Sequence, residues 1–179
     1  MIEATINSDA LNAALENLED ATATEAILTQ AGDTLIDLIG MTFADQQDPW
    51  GAPWAPLSAR SRSGQALLDT GRLRNSIASQ ISGNTLLVGS DVCYSMTHQF
   101  GATVTAQKPT GSNICGYTPK GAPRLAWSAG GAIHFAKQVT IPARPFMPIQ
   151  PGGGGELPQP WEDELRDGIA AMIQLSIEK

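Results

Sequence analysis

Between residues 27 and 43, apolar side chains return every three or four positions: Ile27, Leu28, Ala31, Leu35, Leu38, Ile39 and Phe43. That step puts them on one stripe of a helix, and a stripe this long needs a second layer to cover it. The spacing predicts a long amphipathic helix ending near Phe43. Thr22 and Glu25 stand at capping-box spacing after a break or kink over Asp20–Thr24. The polar face carries Glu25, Asp33 and Asp37, which suits solvent or a basic partner.

On either side of this helix the pattern changes. Ile2, Ala4 and Ile6 alternate with Glu3 and Thr5, a period of two that predicts a short half-buried strand. Ser8 or Asp9 then caps a helix with Leu11, Leu15 and Leu18 on one stripe. After Asp45, the prolines 49, 53 and 56 and Gly51 forbid regular structure. Two tryptophans, Trp50 and Trp54, fall in this loop, and at least one must pack on the body or on a partner. Ser58–Ala66 is polar, with Arg60 and Arg62. Order resumes with a short helix from about Thr70, a strand near Ile77–Ile81, a turn at Ser82–Asn84 and a strand from Thr85 to Gly89, a hairpin signal.

The stretch from Cys93 to Gly101 places Tyr94, His98, Gln99 and Phe100 within a few residues and closes on a glycine. We read one or two helical turns with a polar tip. Tyr94 and Phe100 anchor it in the core, His98 and Gln99 hold its geometry beside a subunit interface, and Gly101 stops the helix with positive φ. Val104 ends a short strand. Leu125–Trp127 and Ile133–Val139 form a second hairpin, with Ile133, Phe135 and Val139 on its inner face and His134 and Gln138 outside. A final helix from about Pro160 carries Trp161, Leu165, Ile169, Met172 and Ile173 on its apolar stripe and Glu162, Asp163 and Glu164 at its positive end.

These elements predict an α+β fold. A small, mostly antiparallel sheet is packed by the long N-terminal helix, with the C-terminal helix at its edge and long Gly/Pro-rich loops between. The chain has 179 residues, 18 of them Gly and 12 Pro, concentrated in the second half. We expect one domain over residues 1–179, with a flexible insertion at about 105–124 and a linker at about 151–158. No apolar run reaches the length of a membrane span, and residues 1–7 lack the features of a signal peptide. The expectation is a chain that is cytoplasmic at synthesis, without membrane contact. Cys93 and Cys115 fit no metal spacing and read as reduced thiols.

Charge is segregated along the chain. Residues 1–57 hold ten carboxylates and no Lys or Arg; residues 58–155 hold nine basic groups and only Asp69 and Asp91. Residues 156–179 hold six acidic and two basic groups. Such a chain can attract copies of itself, or the two signs can simply mix over the folded surface. Arg60, Arg62, Lys108, Lys120 and Arg124 are candidates for facing a neighbouring subunit or, without sequence preference, genomic DNA.

Reactive chemistry finds little support. His98, Asp91 and Ser90 or Ser95 could be dressed as a triad, but no nucleophile elbow is present. A metal site needs His98, His134 and a carboxylate to converge in a region short of carboxylates. The glycines 152–155 follow proline and lack the lysine of a phosphate loop. We expect no catalytic residue, no metal and no cofactor.

Four groups of residues, in order, carry a resemblance. They are Phe43, Asp48, Pro49, Gly51, Trp54 and Leu57; Leu68, Thr70, Gly71, Leu73, Arg74, Ser76 and Ile77; Val88 and Gly89 before Tyr94, His98, Gln99, Phe100 and Gly101; and Ile141, Pro142, Arg144, Pro145 and Phe146. Together they resemble the phage virion morphogenesis family of tail completion proteins. Ser95 and Thr97 depart from its usual small and aliphatic residues. The resemblance implies a structural virion or assembly protein, not an enzyme. It would act in a homo-oligomeric ring, expected to be six-fold, at the head–tail junction, with other neck and tail proteins as partners. In it, Pro49, Gly51 and Trp54 would fix a loop, and Arg144, Pro145 and Phe146 would anchor a strand exit.

Overall fold

The computed structural model describes residues 2–5, 21–58, 64–106, 124–129, 131–150 and 155–177. The helix expected around Leu11, Leu15 and Leu18 lies outside these residues. So do Arg60, Arg62, Lys108, Lys120, Cys115, most of the 105–124 insertion and the linker glycines 152–154.

The 27–43 stripe forms the helix it predicts. α1 spans Ala21–Asp45 and buries Ile27, Leu28, Ala31, Leu35, Ile39 and Phe43, while Leu38 packs at the margin. Its backbone is already helical from Ala21, so Thr22 is not a cap and the expected break does not fall at residues 21–24. The strand β1 (Ile2–Thr5), the strands β2 (Ile77–Ser82) and β3 (Thr85–Ser90), and the one-turn helix α2 (Arg72–Asn75) lie where the patterns put them. β3 is central, antiparallel to both neighbours; Ile2 and Ile77 both align with Ser90. Leu86, Val88 and Ser90 point to one side of β3 and are buried, as alternation requires. α1 packs on β2 and β3. Gly32 makes the approach close: a Cβ there would stand 3.0 Å from the Ser79 side chain and 3.2 Å from Leu86 Cδ1.

Beyond this sheet the strands do not join one surface, contrary to the single sheet expected. β4 (Ala102–Thr105) pairs with β7 (Gln138–Ile141), and β5 (Leu125–Ala129) pairs with β6 (Ala132–Ala136), as two separate antiparallel ribbons. The chain bends at Lys137, so Val139 leaves the hairpin for a different partner strand. The helix α3 (Ser95–Phe100) links β3 to β4. The last helix, α4 (Gln159–Ile177), packs mainly against α1 and not at a sheet edge, burying Trp161 and Ile169. Just before it, Pro158 is buried and Leu157 packs on the core, so this end of the expected linker is tied down. The fold is α+β, with helices and small antiparallel sheets.

Candidate functional site

Three of the four motif groups meet at the C-terminal end of α1. Phe43 is fully buried there, edge-on to Trp54 with ring centroids 5.5 Å apart and tilted against Phe146 at 5.4 Å. The Trp54 indole N–H donates to the Pro145 carbonyl at 2.8 Å. This meets the expectation that one tryptophan packs on the body. Trp50 stays 47% exposed.

The loop that delivers Trp54 is built from short-range bonds. Asp48 Oδ1 accepts from the backbone N–H of Trp50 and of Ala52, both at 2.9 Å. The Trp54 N–H donates to Gln46 O at 2.8 Å. Pro49 is buried in this loop and Gly51 takes φ 87°. Gln46, itself at φ 57°, clamps the segment beyond: its Nε2 donates to Phe43 O and Ala66 O, and its Oε1 accepts from Ala66 N–H. No periodicity marks Gln46, and sequence reasoning passed over it.

The α3 stretch faces the other way from expectation. Tyr94, expected in the core, is 36% exposed and meets His98 edge-on at 5.7 Å. Phe100 is only half-buried. The buried residues of α3 are Ser95 and Gln99. Gln99 therefore does more than hold local geometry. Its Nε2 donates to Met147 O (2.7 Å) and Ile149 O (3.2 Å), and its Oε1 accepts from Phe146 N–H (3.0 Å) and Met147 N–H (3.1 Å). One amide thus gives two hydrogen bonds and accepts two from an irregular segment that pairs with no strand among the described residues. An apolar side chain at position 99 would take away the acceptor of the Phe146 and Met147 N–H groups and a donor to Ile149 O, which explains why a polar residue holds the inner position.

Arg144 completes the junction. It is 6% exposed, and its guanidinium donates through Nε to Ala55 O at 2.9 Å and through Nη2 to Pro56 O at 3.2 Å. Its backbone N–H donates to His98 O at 2.7 Å. Burial lowers its pKa, yet an arginine stays charged at any ordinary pH. Burial, and then the Arg144 charge, hold the His98 imidazole below the ordinary 6.5. His98 Nδ1 and Ser95 Oγ are buried without a hydrogen-bond partner among the described residues. Gly101 ends α3 at φ 73°, ψ 162°, where a Cβ would stand 2.8 Å from Ala143 N.

The second motif group sends Leu73 and Ile77 into the same core cluster as Phe43, Trp54 and Phe146. Gly71 opens α2 at φ 70°, and Arg74 is exposed, its guanidinium so near Gly40 of α1 that a Cβ there would stand 3.7 Å from Nη2. Ser90 belongs to a hydroxyl chain: Ser76 Oγ donates to Leu73 O, so Ser90 Oγ donates to Ser76 Oγ at 2.7 Å and accepts from Val92 N–H. Of the five candidate DNA-facing or intersubunit cations, only Arg124 is described, half-buried at the foot of β5. His134 is not solvated on an outer face as expected. It stacks on Trp127 at 5.5 Å and 26°, and the apolar Ile133 and Phe135 take the exposed side. No group of three or more His, Cys, Asp or Glu gathers as a metal site among the described residues. No helix among them is long and apolar enough to cross a membrane. Beside the junction, Trp50, Phe100, Pro145 and Ile149 line an open, mainly apolar pocket of about 260 Å³.

Residues 4–165 match the phage virion morphogenesis family. The chain is 30% identical over 154 residues to the Mu-like prophage FluMu G protein 2 of Haemophilus influenzae, covering 84% of this chain and 86% of that protein. No solved structure matches. The match takes in all four motif groups, three of which close on one buried junction, and the chain belongs to the phage virion morphogenesis family, with a role in building the phage particle.

Proposed function

We propose that the chain is a subunit of a homo-oligomeric ring, six-fold, that completes the phage tail and joins it to the head. The observation that supports this most is where the motif residues go. Trp54, Gln99, Arg144 and Phe146 are committed to buried contacts between distant segments, which makes a rigid building block and leaves them no reacting partner in solvent. Charge supports a ring of copies. The two helices display Glu25, Asp33, Asp37, Asp45, Asp163, Glu164 and Asp167, all exposed, with Arg166 as the one basic group between α1 and α4. Among the described residues the other basic groups are Arg72 and Arg74 on α2, Arg124 and Lys137 at the foot of the β5–β6 ribbon, and the buried Arg144. In this reading acidic helices meet the basic middle of a neighbour, and the head–tail junction is the protein's place in the virion. The other neck and tail proteins are its partners, with non-specific contact to the DNA threading past.

Electron microscopy of particles made without this protein tests the reading. Full heads beside unjoined tails of irregular length are expected. Normally joined particles would overturn it. Mass spectrometry of purified virions separates a resident subunit from an assembly factor, which would be absent from the finished particle.

A further inference from the structure

The β5–β6 ribbon exposes the wrong face for a core element. Its register pairs Ala126 with Phe135, Trp127 with His134 and Ser128 with Ile133. Alternation then places Ile133 and Phe135 together on one face, and both are open to solvent, at 67% and 51%. Trp127 and His134 stack on the other face. Two large apolar side chains on one small ribbon form a surface that water penalises. At the foot of the ribbon, Arg124 and Lys137 flank the paired ends Leu125 and Ala136, and neither makes an ion pair among the described residues.

A matching surface lies elsewhere on the same chain. On α1, Gln30, Asp33, Asp37, Met41 and Ala44 follow one another at three- and four-residue steps and are all exposed. Met41, at 57% exposure, is the one large apolar group on that stripe. Asp37 and Asp45 stand one turn to either side of it. The spacings agree. Lys137 follows Phe135 by two residues, at the bend that ends β6, and so lies at most about 7 Å from it along the chain. Met41 and either carboxylate are one helical turn apart, about 6 Å along the axis. Within that reach apolar meets apolar and positive meets negative.

We propose that the Ile133 and Phe135 face of the β5–β6 ribbon docks on the Met41 stripe of α1 in a second copy of this chain, with Lys137 and Arg124 against Asp37 and Asp45. This rests on the ring reading and names the contact that makes the ring. Two different patches are joined, so the contact is head-to-tail, the type that generates a ring when its rotation closes.

Sedimentation velocity on the full chain and its variants tests the contact. Phe135→Glu is expected to weaken self-association by about tenfold or more, as loss of a central aromatic anchor does. The double variants R124E/K137E and D37K/D45K are each expected to stay monomeric. Mixed in equal amounts they are expected to assemble, because each Glu-bearing ribbon then meets a Lys-bearing helix and each unaltered ribbon an unaltered helix. If R124E/K137E loses its circular dichroism, K137E alone takes its place. Assembly of Phe135→Glu at wild-type strength overturns the contact and leaves the ring standing. Variants that assemble normally yet fail to complete tails assign the face to another virion protein and also overturn it. A wild-type chain that stays monomeric at high concentration and low salt, and does not bind tail tubes, removes the ring and the contact together.

Discussion

Replacing Gln99 by leucine tests the junction most directly. Leucine keeps nearly the volume of the side chain and deletes all four of its hydrogen bonds to residues 146–149. The site is 1% exposed, so water cannot take over at Phe146 N–H or Met147 N–H without opening the core. Each lost bond costs about 0.5–1.5 kcal/mol net, and an orphaned buried group costs about 1–3 kcal/mol. Four orphans at the upper figure overstate the loss, because Met147 O still accepts from Ile149 N–H and Gln150 beside the segment is exposed. We expect about 4 kcal/mol, a large part of the roughly 5–15 kcal/mol that holds a domain folded. For a chain of this size that is a fall in melting temperature of roughly 10 °C. Urea and thermal unfolding followed by circular dichroism read both numbers. Gln99→Glu is the control. Its carboxylate still accepts from the two N–H groups but repels the Met147 and Ile149 carbonyls, so burial and repulsion raise its folded pKa. Its deficit should therefore shrink as pH falls and the acid gains a proton to donate. A Gln99→Leu protein within 1 kcal/mol of wild type, or a Gln99→Glu deficit that grows on acidification, would refute the reasoning.

Three further outcomes follow from the same contacts. Trp54→Phe keeps a ring against Phe43 and loses the donor to Pro145 O, so it should cost about 1–2 kcal/mol in urea unfolding. Gly101→Ala meets both a backbone conformation side chains avoid and the Ala143 amide at 2.8 Å, so it should cost at least about 2 kcal/mol in the same measurement. His98 has a folded pKa below its unfolded value of 6.5, because burial and Arg144 disfavour the imidazolium. The unfolded chain therefore binds the proton first, and stability should be level above pH 6.5 and fall as pH drops below it. His98→Gln should flatten that part of the pH–stability curve relative to wild type.

The local elements were legible because each is written in its own period. The three- and four-residue step of Ile27 to Phe43 makes α1 wherever it sits, and the alternation around Ser82–Asn84 makes the β2–β3 hairpin. The motif order was legible too, since it depends only on spacing along the chain. The inward side of α3 was not. Hydrophobicity ranks Tyr94 and Phe100 above Gln99, yet Gln99 is the residue inside. Its partners lie 47 to 50 positions away, in a segment whose own pattern offers no sign that its amides lack a strand. The same holds for the β5–β6 ribbon, where alternation groups Ile133 with Phe135 but does not say which face meets the body. Sequence by itself determined which residues share a face. Only the tertiary structure decided which face turns inward, because that depends on backbone groups elsewhere that must find a partner before they can be buried.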